Sequence, residues 1–443
     1  MRPISSHIKA ISLLGLPIVV GQLGVIVQGM ADTIMVGQYG TPELSASAMV
    51  NNIYNFIIFF LLGISYATTP ITGAAFGKGD HNEVSRSLKE SLSVNLIFSG
   101  IIMILLTWLY FHLDILGQPQ HLMPLVRPYY LILMLSLPFL AGFNALKQFA
   151  EAVGHTTLPM RVMIVSNILN IALNALLIYG IAGMPEWGLF GAGLATFIAR
   201  VFLFVAMMFA VFHGKSFKLW TRKSHHSSTT RKGCTHMAMV GFPIAIQLCL
   251  ESASFNIAGM FMGWIGDIQL AAHQVMCSIS TLIFMIQYGI GAAAAIRISQ
   301  FRGRGEWSDV KRTVHSAWAL AILFAIVSVG AIALFCQPIT AIFTSDIRVQ
   351  NMCFMLLPAF VLYQLGDCTQ IIFSNSLRAI EAVGRMLLYA IISYLLVSIP
   401  MSYLFGIHLG FGAEGVWYGI PLGLTTAALL FMYEFRRKIK QLI

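Results

Sequence analysis

Twelve apolar runs take up most of this sequence. They lie at roughly 10–36, 45–75, 88–111, 122–147, 158–181, 188–213, 236–265, 271–298, 312–335, 347–377, 384–406 and 412–434. A helix needs about 20 consecutive apolar residues to cross the hydrocarbon of a bilayer. The pattern therefore predicts an all-α integral membrane protein with twelve transmembrane helices. The second, fourth and tenth runs exceed the minimum and are expected to tilt or extend past the membrane. Of the 443 residues, 58% are hydrophobic and only 10% are charged, and mean hydropathy is +0.80. A soluble domain carries about 25% charged residues, so little of this chain is expected outside the bilayer. No clear small-residue cleavage site follows "MRPISSHIKA", and the run after it reads as a first span rather than a cleaved signal.

The formal net charge is +10, and its placement explains it. The loops after odd-numbered spans hold only Arg127 and Arg348 among Lys and Arg. The even loops and both ends hold nearly all the rest, as in "KSFKLWTRKSHHSSTTRKG" (215–233), "RISQFRGRGEWSDVKR" (297–312) and "RRKIK" (436–440). By the positive-inside rule the even loops and both termini are cytoplasmic. The charge thus reflects topology and calls for no nucleic acid partner. His225 and His226 sit in the longest of these basic loops and read as solvated.

The chain repeats itself. At an offset of 226, "LGLP" (14–17) falls on "VGFP" (240–243), Gly37 on Gly263, Gly40 on Gly266 and Gly63 on Gly289. "GKGDHNEVSR" (77–86) falls on "GRGEWSDVKR" (303–312) at the same offset. An offset of 230 pairs Pro128 with Pro358 and "EAVG" (151–154) with "EAVG" (381–384). One of 222 pairs "GLFGAGL" (188–194) with "GFGAEGV" (410–416). Two homologous six-helix halves follow: an N-terminal lobe at 1–213, a cytoplasmic linker at 214–235 and a C-terminal lobe at 236–443. Six is even, so both halves enter the membrane the same way up, with a pseudo-two-fold axis along the membrane normal. Secondary transporters use this plan and bind substrate between repeats.

A carboxylate in hydrocarbon is costly and marks a functional candidate. Asp32 lies in span 1, Glu251 midway along span 7 and Asp367 in span 10. No Lys or Arg of the same span lies within two turns of any of them. Burial without a partner makes a carboxyl a proton carrier, and a ring of neutral oxygens would make it a Na⁺ ligand. Pairing across helices is the structural alternative. Asn167, Asn170 and Asn174 in "SNILNIALN" share one helix face, either as helix–helix glue or as partners of Asp32. Tyr363 lies one turn before Asp367. Cys336 and Cys353 flank one outer loop, where a disulfide is an open alternative. No GxxxxGK[ST], HExxH or GxSxG is present, which argues against ATP use or an enzyme.

Together, "LGLPIVVGQL" with "MADTIMVG", "GFPIAIQLCLES" and "QLGDCTQIIFSNSLRAIEAVG" resemble the multidrug and toxic compound extrusion (MATE) transporters, especially their bacterial NorM-type branch. The resemblance covers essentially the whole chain. It implies cation-coupled efflux by alternating access, with Na⁺ or H⁺ as coupling ion and no cofactor. The family's second-half cation site falls on Glu251 and Asp367, with Tyr363 nearby and Na⁺ as a candidate ligand of the two carboxylates. Its first-half substrate or proton site falls on Asp32, Asn170 and Asn174. Some branches carry a second acid in span 5, where this chain has Asn174.

The expected function is therefore a multidrug antiporter of the bacterial inner membrane, with Na⁺ favoured over H⁺. Its partners would be small amphipathic or cationic organic compounds and membrane lipid, and it would function as a monomer. The alternative is a lipid-linked precursor flippase, whose anionic substrate would need several cavity cations. Arg200 reads as the only strongly basic residue well inside a span. At the offset of 226, Asp32 aligns with Ala258 and Glu251 with Val25, and Asp367 faces Leu137 at 230. The halves thus share a frame but not a site.

Overall fold

A computed structural model describes residues 3–113, 120–183, 185–224 and 229–442. His225 and His226 of the expected linker lie outside the described residues. Among those described there is no strand. The first half holds α1 (Ile4–Tyr39), α2 (Thr41–Ser65), α3 (Thr68–Lys78), α4 (His81–Phe111), α5 (Met123–Ala152), α6 (Thr157–Tyr179) and α7 (Gly188–His213). A short α8 (Lys218–Ser224) follows. The second half holds α9 (Arg231–Ile265), α10 (Asp267–Arg304), α11 (Trp307–Leu334), α12 (Cys336–Phe343), α13 (Ile347–Met355), α14 (Leu357–Ala379), α15 (Val383–Ala390), α16 (Ile399–Tyr403) and α17 (Gly412–Leu442). Among the described residues eleven helical stretches are long and apolar enough to cross a membrane, and α13 with α14 makes a twelfth.

Of the three long runs the second and tenth are interrupted, whereas the fourth is the single helix α5. The second run is α2 and α3, separated at Tyr66–Ala67. The tenth is α13 and α14, bent by 54°. Pro358 stands in the first turn of α14, where its missing N–H breaks no helical bond. The eleventh is α15, a π-helical stretch at Ile391–Ser398, α16 and a second π-helical stretch at Leu404–His408. Pro400 removes an N–H from the α ladder and crowds the carbonyl of Leu396, and the ladder widens just before it.

Packing divides the described helices into two units. One is Val20–Ala245; the other is Met1–Val19 with Ile246–Ile443. The two breaks fall at equivalent places in the repeat, 226 residues apart. The packing units and the sequence halves therefore differ at their ends. In the discontinuous unit, His7 is fully buried; its Nε2 lies 3.4 Å from Asp309, and its Nδ1 is 3.1 Å from Thr313 Oγ1. In the continuous unit, Glu90 accepts hydrogen bonds from Thr230 Oγ1 at 2.7 Å and Thr230 N–H at 3.2 Å. A carboxylate at the start of α9 complements the helix dipole there.

Backbone geometry also corrects the repeat register. Gly79 (φ 75°) and Gly305 (φ 73°) end equivalent helices at the offset of 226. After α5 and α14, the positive-φ residues are Gly154 (φ 92°) and Glu381 (φ 59°), an offset of 227. Their bonds match: Gly154 N–H to Glu151 O and His155 N–H to Ala150 O, against Glu381 N–H to Arg378 O and Ala382 N–H to Leu377 O. The identical "EAVG" strings are therefore not structural equivalents. Gly188 (φ 51°) and Gly412 (φ 61°) open α7 and α17, which puts that offset at 224 rather than 222. In the corrected register Asp367 stands opposite Leu140. A left-handed non-glycine residue is costly, and Arg302 fastens Glu381 with a 2.6 Å ion pair while donating to Ala379 O at 3.1 Å.

Arg127 and Arg348, the two basic residues that the sequence places at the odd-numbered loops, both have local partners. Arg348 pairs with Asp346 at 2.8 Å, and its guanidinium and backbone N–H hold the Asp346 carboxyl below the usual carboxylate range. Arg127 lies 5.8 Å from the centre of the Tyr110 ring. Cys336 and Cys353, both buried, form no disulfide. Asp80 caps α4 by accepting from the N–H groups of Asn82 and Glu83, both at 3.0 Å. Asp80→Ala is expected to lower stability by about 1 kcal/mol, measured by unfolding of the purified protein in detergent.

Candidate functional site

Two polar sites lie inside the helices, one in each unit. In the discontinuous unit, α9 presents Gln247 and Glu251 one turn apart. One face of α14 presents Tyr363, Asp367 and Gln370 at i, i+4 and i+7. Gln247 Nε2 donates to Glu251 Oε2 at 3.1 Å and Gln370 Nε2 to the same oxygen at 3.4 Å. Gln370 also donates to the Tyr394 hydroxyl at 2.8 Å, and Tyr394 comes from the π-helical stretch. Tyr363 OH accepts from Ser280 Oγ of α10 at 2.8 Å and lies beside Asp367.

Asp367 is 2% exposed, and its Oδ2 has no hydrogen-bond partner among the described residues. It is close enough to Glu251 for their charges to interact. Arg378, three turns beyond Asp367, reaches the site through a second helix: its Nη2 donates to Gln247 Oε1 at 2.6 Å, and its charge acts on Glu251. The structure therefore brings Glu251, Asp367 and Tyr363 together. It adds Gln247, Gln370, Ser280, Tyr394 and Arg378, which the sequence reading missed. The two glutamines carry a legible signal, since each stands one turn from an acid. Tyr394 and Arg378 carry none, because only tertiary packing brings them in.

In the continuous unit, Asn174 Nδ2 donates to Asp32 Oδ1 at 2.5 Å and to Asn170 Oδ1 at 3.3 Å. Both asparagines are fully buried. The third, Asn167, lies so close to Gly24 that a Cβ there would stand 2.6 Å from its amide nitrogen. The asparagine stripe of α6 thus faces α1, and Asp32 is held by it. Asn170 and Asn174 stand behind Asp32, which with Asn167 borders a cavity of 540 Å³ walled by α1, α2, α5, α6 and α7. Asp32, Asn167, Tyr54, Tyr129 and Phe143 line it, and so do two basic residues, Arg200 and Lys147. Arg200 is therefore not the only base inside the helices. Lys147 is 4% exposed and stands 4.0 Å from Glu151. Arg200 Nη1 donates to Ser136 Oγ at 2.7 Å.

A two-unit helical membrane protein with a polar cavity in one unit and a buried carboxylate pair in the other has the build of a secondary transporter. The MatE family model matches twice, at residues 17–176 and 243–404, and the chain belongs to that family. It is a transporter and not an enzyme. A probable multidrug resistance protein NorM of Bradyrhizobium diazoefficiens is 30% identical over 97% of this chain and 93% of its own length. Multidrug resistance protein PmpM of Pseudomonas aeruginosa is 28% identical over 99% and 93%. Among solved structures, a eukaryotic MATE transporter superposes with a TM-score of 0.88 at 18% identity, covering 100% of this chain and 99% of that one. A multidrug resistance MATE transporter described as outward-facing has a TM-score of 0.88 at 21% identity, covering 98% and 96%.

Proposed function

We propose that the protein is a cation-coupled multidrug antiporter of the bacterial inner membrane. It works as a monomer with both termini in the cytoplasm, and it expels amphipathic organic compounds as a cation moves inward. The observation that carries this reading is the buried Asp367 carboxylate. One of its oxygens has no donor, and a second carboxylate stands nearby. Such a pair requires a proton or a metal cation to be stable away from water. Arg378 offsets one of the two negative charges, leaving one to be balanced by a single monovalent cation. The remaining donors, from Tyr363, Ser280 and Tyr394, offer neutral oxygens. That set suits a hard cation, and Na⁺ is favoured over H⁺. Export of organic compounds agrees with the names of the relatives, both multidrug resistance proteins.

The test is export from proteoliposomes under separately imposed Na⁺ and H⁺ gradients. An inward Na⁺ gradient at equal pH is expected to drive export, and an H⁺ gradient without Na⁺ to drive it less. Export indifferent to both gradients would refute cation coupling. Export driven by H⁺ alone would reverse the choice of ion.

A further inference from the structure

The acid pair of the discontinuous unit has a base built in beside it. Arg378 stands in the last turn of α14 and is 5% exposed. Its Nη2 donates to Gln247 Oε1 at 2.6 Å, a charge-assisted bond. Gln247 is fully buried and turns its other amide end to Glu251, where Nε2 donates to Oε2 at 3.1 Å. An amide has one acceptor end and one donor end. With Oε1 taken by the guanidinium, Gln247 offers Glu251 a donor and no oxygen. Gln370 Nε2 approaches the same carboxylate oxygen at 3.4 Å. The oxygen of Gln370 is not used in this way: Oε1 has no hydrogen-bond partner among the described residues, and the same holds for Asp367 Oδ2 on the turn before it.

The arrangement separates two roles. Asp367 Oδ2 and Gln370 Oε1 are buried oxygens open to a cation. Gln247 is closed to one, and behind it Arg378 supplies a positive charge that acts on Glu251, which in turn acts on Asp367. Two ionised carboxylates and one guanidinium sum to a single negative charge. A monovalent cation makes that group neutral. A divalent cation leaves it positive, and an unbalanced charge away from water is costly.

We infer that Arg378, acting through Gln247, is the residue that restricts the Glu251–Asp367 site to a single monovalent cation and excludes divalent ones. The inference rests on the reading of the two acids as the site of the coupling cation, and it assigns that site's charge selectivity. Size gives no such selectivity, since Na⁺ and Ca²⁺ have nearly equal radii and Ca²⁺ also takes oxygen ligands. Without the guanidinium the two acids present both of their negative charges, and the Gln247 amide is free to turn its oxygen into the site.

The test is equilibrium binding of radioactive Na⁺ to the full chain in detergent at alkaline pH, with Ca²⁺ as competitor. The unaltered protein is expected to hold Na⁺ against a large excess of Ca²⁺. In Arg378→Gln, Ca²⁺ should displace Na⁺ at a concentration at least about tenfold lower, the effect of one unit charge acting through a protein interior. Ca²⁺ should also raise the unfolding temperature of that variant and not of the unaltered protein, because a ligand stabilises only the fold that binds it. Arg378→Lys keeps the charge and should restore the exclusion of Ca²⁺, which a merely structural role would not produce. Gln247→Glu is nearly isosteric, and its carboxylate beside Arg378 cancels the guanidinium charge. It should therefore admit Ca²⁺ as Arg378→Gln does, which keeps the inference testable if Arg378→Gln does not fold. Ca²⁺ competition as strong in the unaltered protein as in these two variants overturns the inference. So does competition in Arg378→Lys that matches Arg378→Gln, or no gain of Ca²⁺ binding in Gln247→Glu. If the unaltered protein binds Na⁺ and any of these results is found, only this inference fails. If the unaltered protein binds no Na⁺, the choice of Na⁺ in the proposed function fails and takes this inference with it.

Discussion

Asp367→Asn is expected to abolish cation-driven export, lowering its rate by about 100-fold or more, while the protein folds as well as before. The amide keeps the volume of the carboxyl beside Tyr363. What it removes is the negative charge, in a position 2% exposed where nothing else replaces it. A loss of about 100-fold corresponds to about 3 kcal/mol of lost cation binding, at about 1.4 kcal/mol per factor of ten. Stability should hold or rise, because the carboxylate oxygen without a donor gives way to a neutral group. Glu251→Gln should act in the same direction with a smaller effect, since Gln247 and Gln370 already hold that side chain. The double variant should be little worse than Asp367→Asn alone if the two acids act as one site. A coupling ion can drive transport only by binding one conformational state more tightly than another. Both variants should therefore lose the response to an imposed gradient before they lose substrate binding. Export fully responsive to the gradient in both would remove the two acids from the coupling mechanism.

The second large effect is structural. Gly63→Val is expected to destabilise the protein by about 3 kcal/mol or more, the upper range for overpacking. A Cβ on Gly63 would stand 2.3 Å from Ala245 Cα and 2.6 Å from its nitrogen. Those are backbone atoms of α9 and cannot rotate aside. The equivalent glycine of the repeat, Gly289, would meet Val19 Cγ2 at 2.3 Å and Gly15 O at 3.2 Å. Gly289→Val should therefore behave alike, with some relief from the mobility of a side chain. Gly100→Ala is the control. Nothing lies within 4 Å of its Cβ position, and in a helix interior the change is expected to be neutral or to stabilise by about 0.5–1 kcal/mol. Thermal unfolding in detergent, followed by loss of the monodisperse peak, measures all three. Equal stability of Gly63→Val and Gly100→Ala would show that α2 and α9 can separate at no cost.

The membrane character, the spans and the repeat were legible because hydropathy and similarity are local properties of the chain. The three acids were legible because a charge stands out in an apolar run. The face shared by Asn167, Asn170 and Asn174 followed from spacing alone. The register of the repeat was harder to read. Identical "EAVG" strings suggested one offset, while the left-handed residues at Gly154 and Glu381 fix another. String identity over four residues carries less information than the hydrogen bonds that end a helix. The companions of the acids were hidden for a different reason. Tyr394 lies 24 residues from Gln370, and Arg378 lies 131 from Gln247. Such separations leave no periodic trace. Lys147 was missed because the apolar run was ended at it, whereas α5 continues to Ala152.

The division of the chain into one continuous and one discontinuous unit has a consequence for synthesis. Val20–Ala245 is an unbroken stretch that can assemble as soon as its last residues are in the membrane. Residues 4–19 are made before it, yet they pack with a stretch of chain that begins only at residue 246. At about 5–20 residues per second, the gap of 226 residues keeps those opening turns waiting on the order of tens of seconds. Through that interval His7 has no Asp309 to meet, and Gly15 has no Gly289. The part of the chain that is translated earliest is thus among the last to find its place, and the protein closes on its own beginning.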